Sequence, residues 1–143
     1  MTVRNATRNF LAADTDRRKA FVWNNIFEVG SMLNATGGSL TYAIGTLLGR
    51  VAASNKLVPL TSAAVDGSAL PVGILAEEVT IGAGASLDVT FCVAGDVDSS
   101  FVILQGADAL TTVVALKTIA DRIKSDTIGI RLVTVTESTF FDN

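Results

Sequence analysis

The sequence contains no histidine, and cysteine occurs once, at Cys92. Without histidine the chain lacks the commonest general base, the commonest metal ligand and the side chain that titrates near neutral pH. A Ser-His-Asp triad is excluded. A single cysteine excludes an intramolecular disulfide and a cysteine-based metal site. With no histidine to activate it, Cys92, inside a strand-like segment, reads as an inert buried thiol. Charge is scarce as well. Asp, Glu, Lys and Arg make up 17% of the chain, against roughly 25% in ordinary soluble domains. No apolar run approaches the ~18 residues of a membrane helix, and the charged, polar first residues lack the apolar segment of a secretory signal. These absences predict a soluble protein made in a cytoplasm, with no membrane segment, no metal, no cofactor, no small-molecule substrate and no catalytic centre. A domain short of surface charge often covers part of its surface with other protein.

What is present divides unevenly. The 143 residues suit one domain, long enough to hide about 68–70% of the surface of its unfolded chain. Residues 1–20 hold five basic side chains (Arg4, Arg8, Arg17, Arg18 and Lys19) against Asp14 and Asp16; the remainder holds six basic against twelve acidic. A basic arm is thus joined to an acidic body. The body would repel a phosphate backbone, so an acidic protein surface, not nucleic acid, is the matched partner. Up to about Asn25 no hydrophobic period holds, yet Phe10, Leu11, Phe21, Val22 and Trp23 stand among polar residues. A solvating tail has little use for them, whereas a docking arm can use them as anchors. The expected division is an arm over residues 1–25, extending as far as residue 36, and one β-rich domain over 37–143. The expected docking residues are Val3, Arg4, Arg8, Phe10, Leu11, Arg17, Arg18, Lys19, Phe21 and Trp23.

Beyond the turn at Gly37-Gly38, short β-type segments dominate: Tyr42 to Ile44, Leu47 to Ala52, Leu57 to Leu60, Gly73 to Val79, Leu87 to Val93 and Phe101 to Leu104. Clusters such as Ser54-Asn55-Lys56, Val65-Asp66-Gly67-Ser68, Gly82-Ala83-Gly84 and Gly95-Asp96 separate them, which predicts a sandwich, barrel or bent ribbon. In the clearest strand Leu87, Val89, Phe91 and Val93 share one face, and Asp88, Thr90, Cys92 and Ala94 the other, small or polar, face. After Asp108, a good N-cap, Ala109, Val113, Leu116, Ala120 and Ile123 fall on one helical stripe. This spacing predicts an amphipathic helix over Ala109 to Asp126, ended by Gly129 before a last strand, Ile130 to Val135.

Motifs that could carry chemistry are weak. Gly82-Ala83-Gly84-Ala85-Ser86 lacks the spacing and the Lys-Ser/Thr ending of a phosphate loop and reads as a tight turn. Asp96-Val97-Asp98-Ser99 lacks the glycine and closing glutamate of a calcium loop and reads as a solvated turn. Glu77 and Glu78, adjacent at a strand end, would point to opposite faces. Asn5-Ala6-Thr7 and Asn34-Ala35-Thr36 fit a glycosylation sequon, which carries little weight without a secretory route.

Five pieces in order carry a resemblance: Gly45-Thr-Leu-Leu-Gly49-Arg-Val, Lys56-Leu-Val-Pro59-Leu, Asp66-Gly67-Ser68, Pro71-Val-Gly73-Ile-Leu, and Gly95-Asp-Val-Asp-Ser-Ser-Phe-Val. With the helix that ends in Gly129-Ile-Arg131-Leu-Val, the stretch from Gly45 to Val133 resembles the lambda-type head decoration (capsid cement) proteins of tailed bacteriophages. The resemblance implies a mainly β (α+β) fold, a β-clip-like bent ribbon or incomplete barrel with one helix near the C-terminus and an extended N-terminal arm. It further implies a structural, non-enzymatic virion protein on the outer surface of the capsid. Its partners would be the major capsid protein and two further copies of itself, in trimers that stabilise the expanded head against internal DNA pressure. Two alternatives belong to other classes: a tail or baseplate interaction module, and a trimeric β-clip nucleotide hydrolase. The glycine-rich, tyrosine-containing nucleotide motif of the hydrolases has no match around Tyr42, the only tyrosine.

Overall fold

The computed structural model describes residues 20–135, and the fold is mostly β, 47% strand, with one helix. The strands run in the order β1 (Phe21–Leu33), β2 (Leu40–Tyr42), β3 (Leu47–Arg50), β4 (Leu57–Pro59), β5 (Pro71–Leu75), β6 (Val79–Ile81), β7 (Ser86–Asp98), β8 (Val113–Val114), β9 (Lys117–Thr118) and β10 (Gly129–Val133); helix α1 (Ile119–Asp126) lies between β9 and β10. β1, β4, β3, β5 and β7 pair in that order, and β1 pairs back onto β7, so five strands close into a barrel. Closure leaves most of these strands without a bare edge. β10 runs parallel to the far half of β7, β2 pairs with β6, and β8 with β9 forms a two-residue hairpin.

Alternation along the strands builds two cores. Met32, Leu48, Leu57, Leu75, Val89, Phe91 and Val93, drawn from all five barrel strands, form one cluster and fill the barrel, joined by Tyr42, Val79 and Ile81 of the β2–β6 ribbon. Their strand neighbours Leu47, Ile74 and Cys92 face outward into a second cluster. Ile119 and Ile123 of α1 and Ile130 of β10 cover it, with Ala20 and Phe21. A barrel this narrow has room for one large ring at its middle. Phe91 takes that place, and a Cβ on Gly73 would lie 2.4 Å from its ring. On the opposite wall a Cβ on Gly30 would lie 3.0 Å away. The missing side chains make the space that the ring occupies.

Several segments differ from the sequence expectation. β1 begins at Phe21, so residues 21–25, and most of the stretch to residue 36, belong to the barrel by pairing. Residues 21–25, expected in the arm, are thus paired with β7. The helix is eight residues long instead of spanning Ala109 to Asp126. Thr118 is its N-cap, with Oγ1 accepting from the Asp121 N–H at 3.1 Å. Asp108 instead accepts from the Ser62 N–H at 2.8 Å and the Ser62 hydroxyl at 2.6 Å, tying two loops together. Phe101 to Leu104 is a 3-10 turn (Ser99–Phe101) followed by one bridge, Thr46 to Ile103. Strand β7 runs through Gly95-Asp96, expected as a turn, to Asp98. Asp98 is buried, and its carboxylate caps the 3-10 turn by accepting from the Ser100 N–H at 3.0 Å. Asn34 of the sequon is also fully buried. Its amide donates to the carbonyls of Gly38 and Ile81, and its oxygen accepts from the N–H and hydroxyl of Thr36.

Candidate docking surface

β1 reads Phe-Val-Trp-Asn-Asn-Ile-Phe-Glu-Val-Gly-Ser-Met-Leu, rich in the aromatic and β-branched residues that suit a pleated surface. It pairs antiparallel with β7 from Phe21 opposite Val97 to Leu33 opposite Ser86, with register shifts at Trp23 and Ile26. At this bulge Asn24 takes a left-handed backbone (φ 54°) and Gly95 opposite it φ 104°. A Cβ on Gly95 would meet the Asn24 carbonyl oxygen at 2.6 Å, so only glycine fits. The Asn25 amide donates to the Asp96 carbonyl at 3.0 Å and approaches the Cys92 sulfur at 3.7 Å, which locks the extra residues in place. Bulges re-aim side chains, and a further register shift separates Phe21 from Trp23. Phe21 turns into the outer core, edge-on to Phe27 with ring centroids 5.4 Å apart, while Trp23 is left 72% exposed.

Around Trp23, β1 exposes further apolar side chains, Val22, Ile26 and Phe27 in part and Val29 at 70%, with Asn24 and Glu28 exposed among them. Among the described residues the edge of β1 away from β7 carries one bridge, Met32 to Leu57. Nearby a cleft of about 200 Å³ opens, lined by Glu28 of β1, Arg50 of β3, Val72 of β5, Phe91 and Val93 of β7 and the turn Asp126 to Ile128 after α1. An open strand edge beside exposed apolar side chains can serve as a template for another chain.

The polar groups nearby have structural work. Asp96, opposite Trp23, accepts two bonds from Arg131 at 2.9 and 2.7 Å. The guanidinium holds the Asp96 carboxyl below the usual carboxylate range. The Cys92 sulfur is fully buried and donates to the Ala94 carbonyl; burial pushes the thiol upward, away from the reactive thiolate. Among the described residues no group of three or more His, Cys, Asp or Glu could hold a metal ion.

Of the residues expected to dock, the structure therefore places two. Trp23 stands on the exposed strip; Phe21 is buried in the core and is not free to dock as it stands. Val3, Arg4, Arg8, Phe10, Leu11, Arg17, Arg18 and Lys19 lie outside the described residues. Sequence reasoning missed Ile26, Phe27 and Val29, because the bulge at Asn24-Asn25 breaks the two-residue alternation that would have revealed the strand.

No curated protein matches the chain, but a family model does: that of the bacteriophage lambda head decoration protein D matches residues 26–122, more than half of the sequence and nearly all of the barrel. The chain belongs to the bacteriophage lambda head decoration protein family, a family of structural virion proteins of the phage capsid.

Proposed function

We propose that this protein cements the expanded phage head, binding as trimers across the seams between capsid subunits and stabilising the shell against the pressure of packed DNA. The observation that carries the proposal is β1: an apolar strand with a largely open edge, directly following the basic stretch that ends at Lys19. An acidic capsid surface would attract that stretch, while a capsid strand lying against the arm or β1 would add main-chain hydrogen bonds and bury Trp23, Ile26 and Val29. Attraction between surface charges is screened over about 8 Å at physiological salt, so charge speeds encounter and the buried contacts hold the complex. Three arms on one trimer act together, which multiplies the affinity of one. Binding only to the expanded form stabilises that form by mass action. The work is mechanical; we assign no catalytic step, and place the protein on the outside of the virion after synthesis in the host cytoplasm.

Deletion of Met1 to Lys19 tests this reading. The remaining chain should fold, since every described element lies beyond Lys19, but should decorate expanded heads far more weakly in a sedimentation assay. Neutralising Arg17, Arg18 and Lys19 should weaken binding less, and most visibly at low salt. Decoration by the truncated protein at full-length affinity would remove the arm from the account. Equal binding to unexpanded proheads would remove the cementing mechanism.

A further inference from the structure

The hairpin β8–β9 displays what the subunit itself does not use. Val113 and Leu116 fall on a stripe that the sequence pattern would bury, yet Val113 is 61% and Leu116 98% exposed. The turn between Val114 and Lys117 is made by Ala115 (φ 48°) and Leu116 (φ 74°), two non-glycine residues in the left-handed region. Glycine or asparagine is the ordinary choice for such a two-residue turn. A strained turn persists when its surroundings over-determine it, and here Arg122 does so. Its Nε donates to the Val114 carbonyl at 3.0 Å, one Nη to the Ala115 carbonyl at 2.8 Å and the other to Asp126. The result is a braced knob with an uncharged apolar tip, Val113 to Leu116. Sequence patterns fail in this way where function claims the residues.

The same chain carries a hole that could take an aliphatic side chain. A groove of about 310 Å³ lies beside β4, walled by Leu33, Leu40, Tyr42, Val58 and Pro59 with Thr61 at its rim, and none of its lining residues is charged. An aliphatic side chain can enter it without stripping water from an ion. Knob and hole are different surfaces of one chain, which is what a heterologous, ring-closing contact requires and what a two-fold contact does not.

We infer that Leu116 of one copy seats in the Leu33–Val58–Pro59 groove of the next copy, and that this contact, repeated, closes the ring. The inference rests on the trimer proposed above and adds its interface. Two variants test it, in solution and on expanded heads. Leu116→Gly removes the knob and suits the positive φ, so the subunit should stay folded, with the circular dichroism of the parent, while trimers are lost, head decoration falls at least tenfold and any stability that assembly adds to the parent disappears. Pairing Leu116→Cys with Thr61→Cys should give covalent trimers on oxidation, with none from the parent, whose Cys92 is buried. Wild-type trimer mass and head binding by Leu116→Gly, or no cross-linked species on fully decorated heads, would overturn the contact. A parent protein that is never trimeric, in mass measurements or by chemical cross-linking on heads, would overturn the trimer proposal as well. A parent trimer indifferent to both variants would overturn this interface alone.

Discussion

β1 and β7 are equal in length, 13 residues each, and lie side by side, yet β7 buries seven of its residues and β1 two. Their compositions do not explain the difference, since both are rich in aromatic and β-branched side chains. Position does. β7 has β1 on one side, β5 and then β10 on the other, and both of its faces are covered: Val89, Phe91 and Val93 inside the barrel, Cys92 and Val97 under the helix and β10. β1 has β7 on one side and a single bridge on the other. A strand inside a sheet spends its apolar surface on stability; a strand at a seam leaves part of it exposed, and that part is what the proposed docking would use.

The contrast is broken most forcefully in β7. Phe91→Ala empties the centre of the barrel and should cost about 3–5 kcal/mol in denaturant unfolding, a large share of the roughly 5–15 kcal/mol that holds a domain folded. A loss below about 1 kcal/mol would mean that the ring does not fill the interior. Next in size, Gly73→Ala pushes a methyl into the Phe91 ring and should cost about 1–3 kcal/mol. In Phe91→Leu the same substitution should lose only the part of its cost that comes from the ring, since a Cβ at Gly73 also meets the Cys92 carbonyl oxygen at 2.6 Å; a double-mutant cycle measures that coupling.

On β1 the order of effects reverses. Trp23→Ser with Val29→Ser should change unfolding stability by no more than about 0.5 kcal/mol per site, while weakening head binding by a factor large enough to see in sedimentation. A loss of stability without loss of binding would move the docking surface elsewhere. The smallest effect concerns the Asp96–Arg131 pair that links β7 to β10. Arg131 lowers the Asp96 carboxyl in the folded state. Its contribution is therefore present above the unfolded value of about 3.9 and fades as pH falls through the lower folded value. The melting-temperature difference between the parent and Asp96→Asn should be constant near neutral pH and shrink towards zero in acid. A difference that grew in acid would assign the pair the wrong sign.

Much of the fold was legible in the sequence because short-range chemistry dictates it. Turn residues at Asn55, Asp66-Gly67 and Gly82 to Ala85 mark the strand ends, and the alternation of Val89, Phe91 and Val93 marks a buried strand. The candidate surface was harder to read. Trp23 stood out as an aromatic without an obvious core, but Phe21 looked the same and is buried, and the pairing register shifts between the two. The helix was overextended for a related reason: Val113 and Leu116 keep helical spacing while the backbone turns a hairpin between them.

By itself, then, the sequence determined the chemistry and the local structure: no histidine-based catalysis, no disulfide, a basic start on an acidic β domain, and most of the turns. Those follow from residue identity and from contacts within a few positions along the chain. Tertiary structure alone decided which apolar residues are spent inside and which remain outside. That choice depends on which strands lie next to one another: whether β1 meets a partner on its second edge, whether Gly30 and Gly73 flank the same ring, and whether Arg122 comes within reach of the Val114 and Ala115 carbonyls. Such neighbours are tens of residues apart in most of these cases, and no local pattern records them.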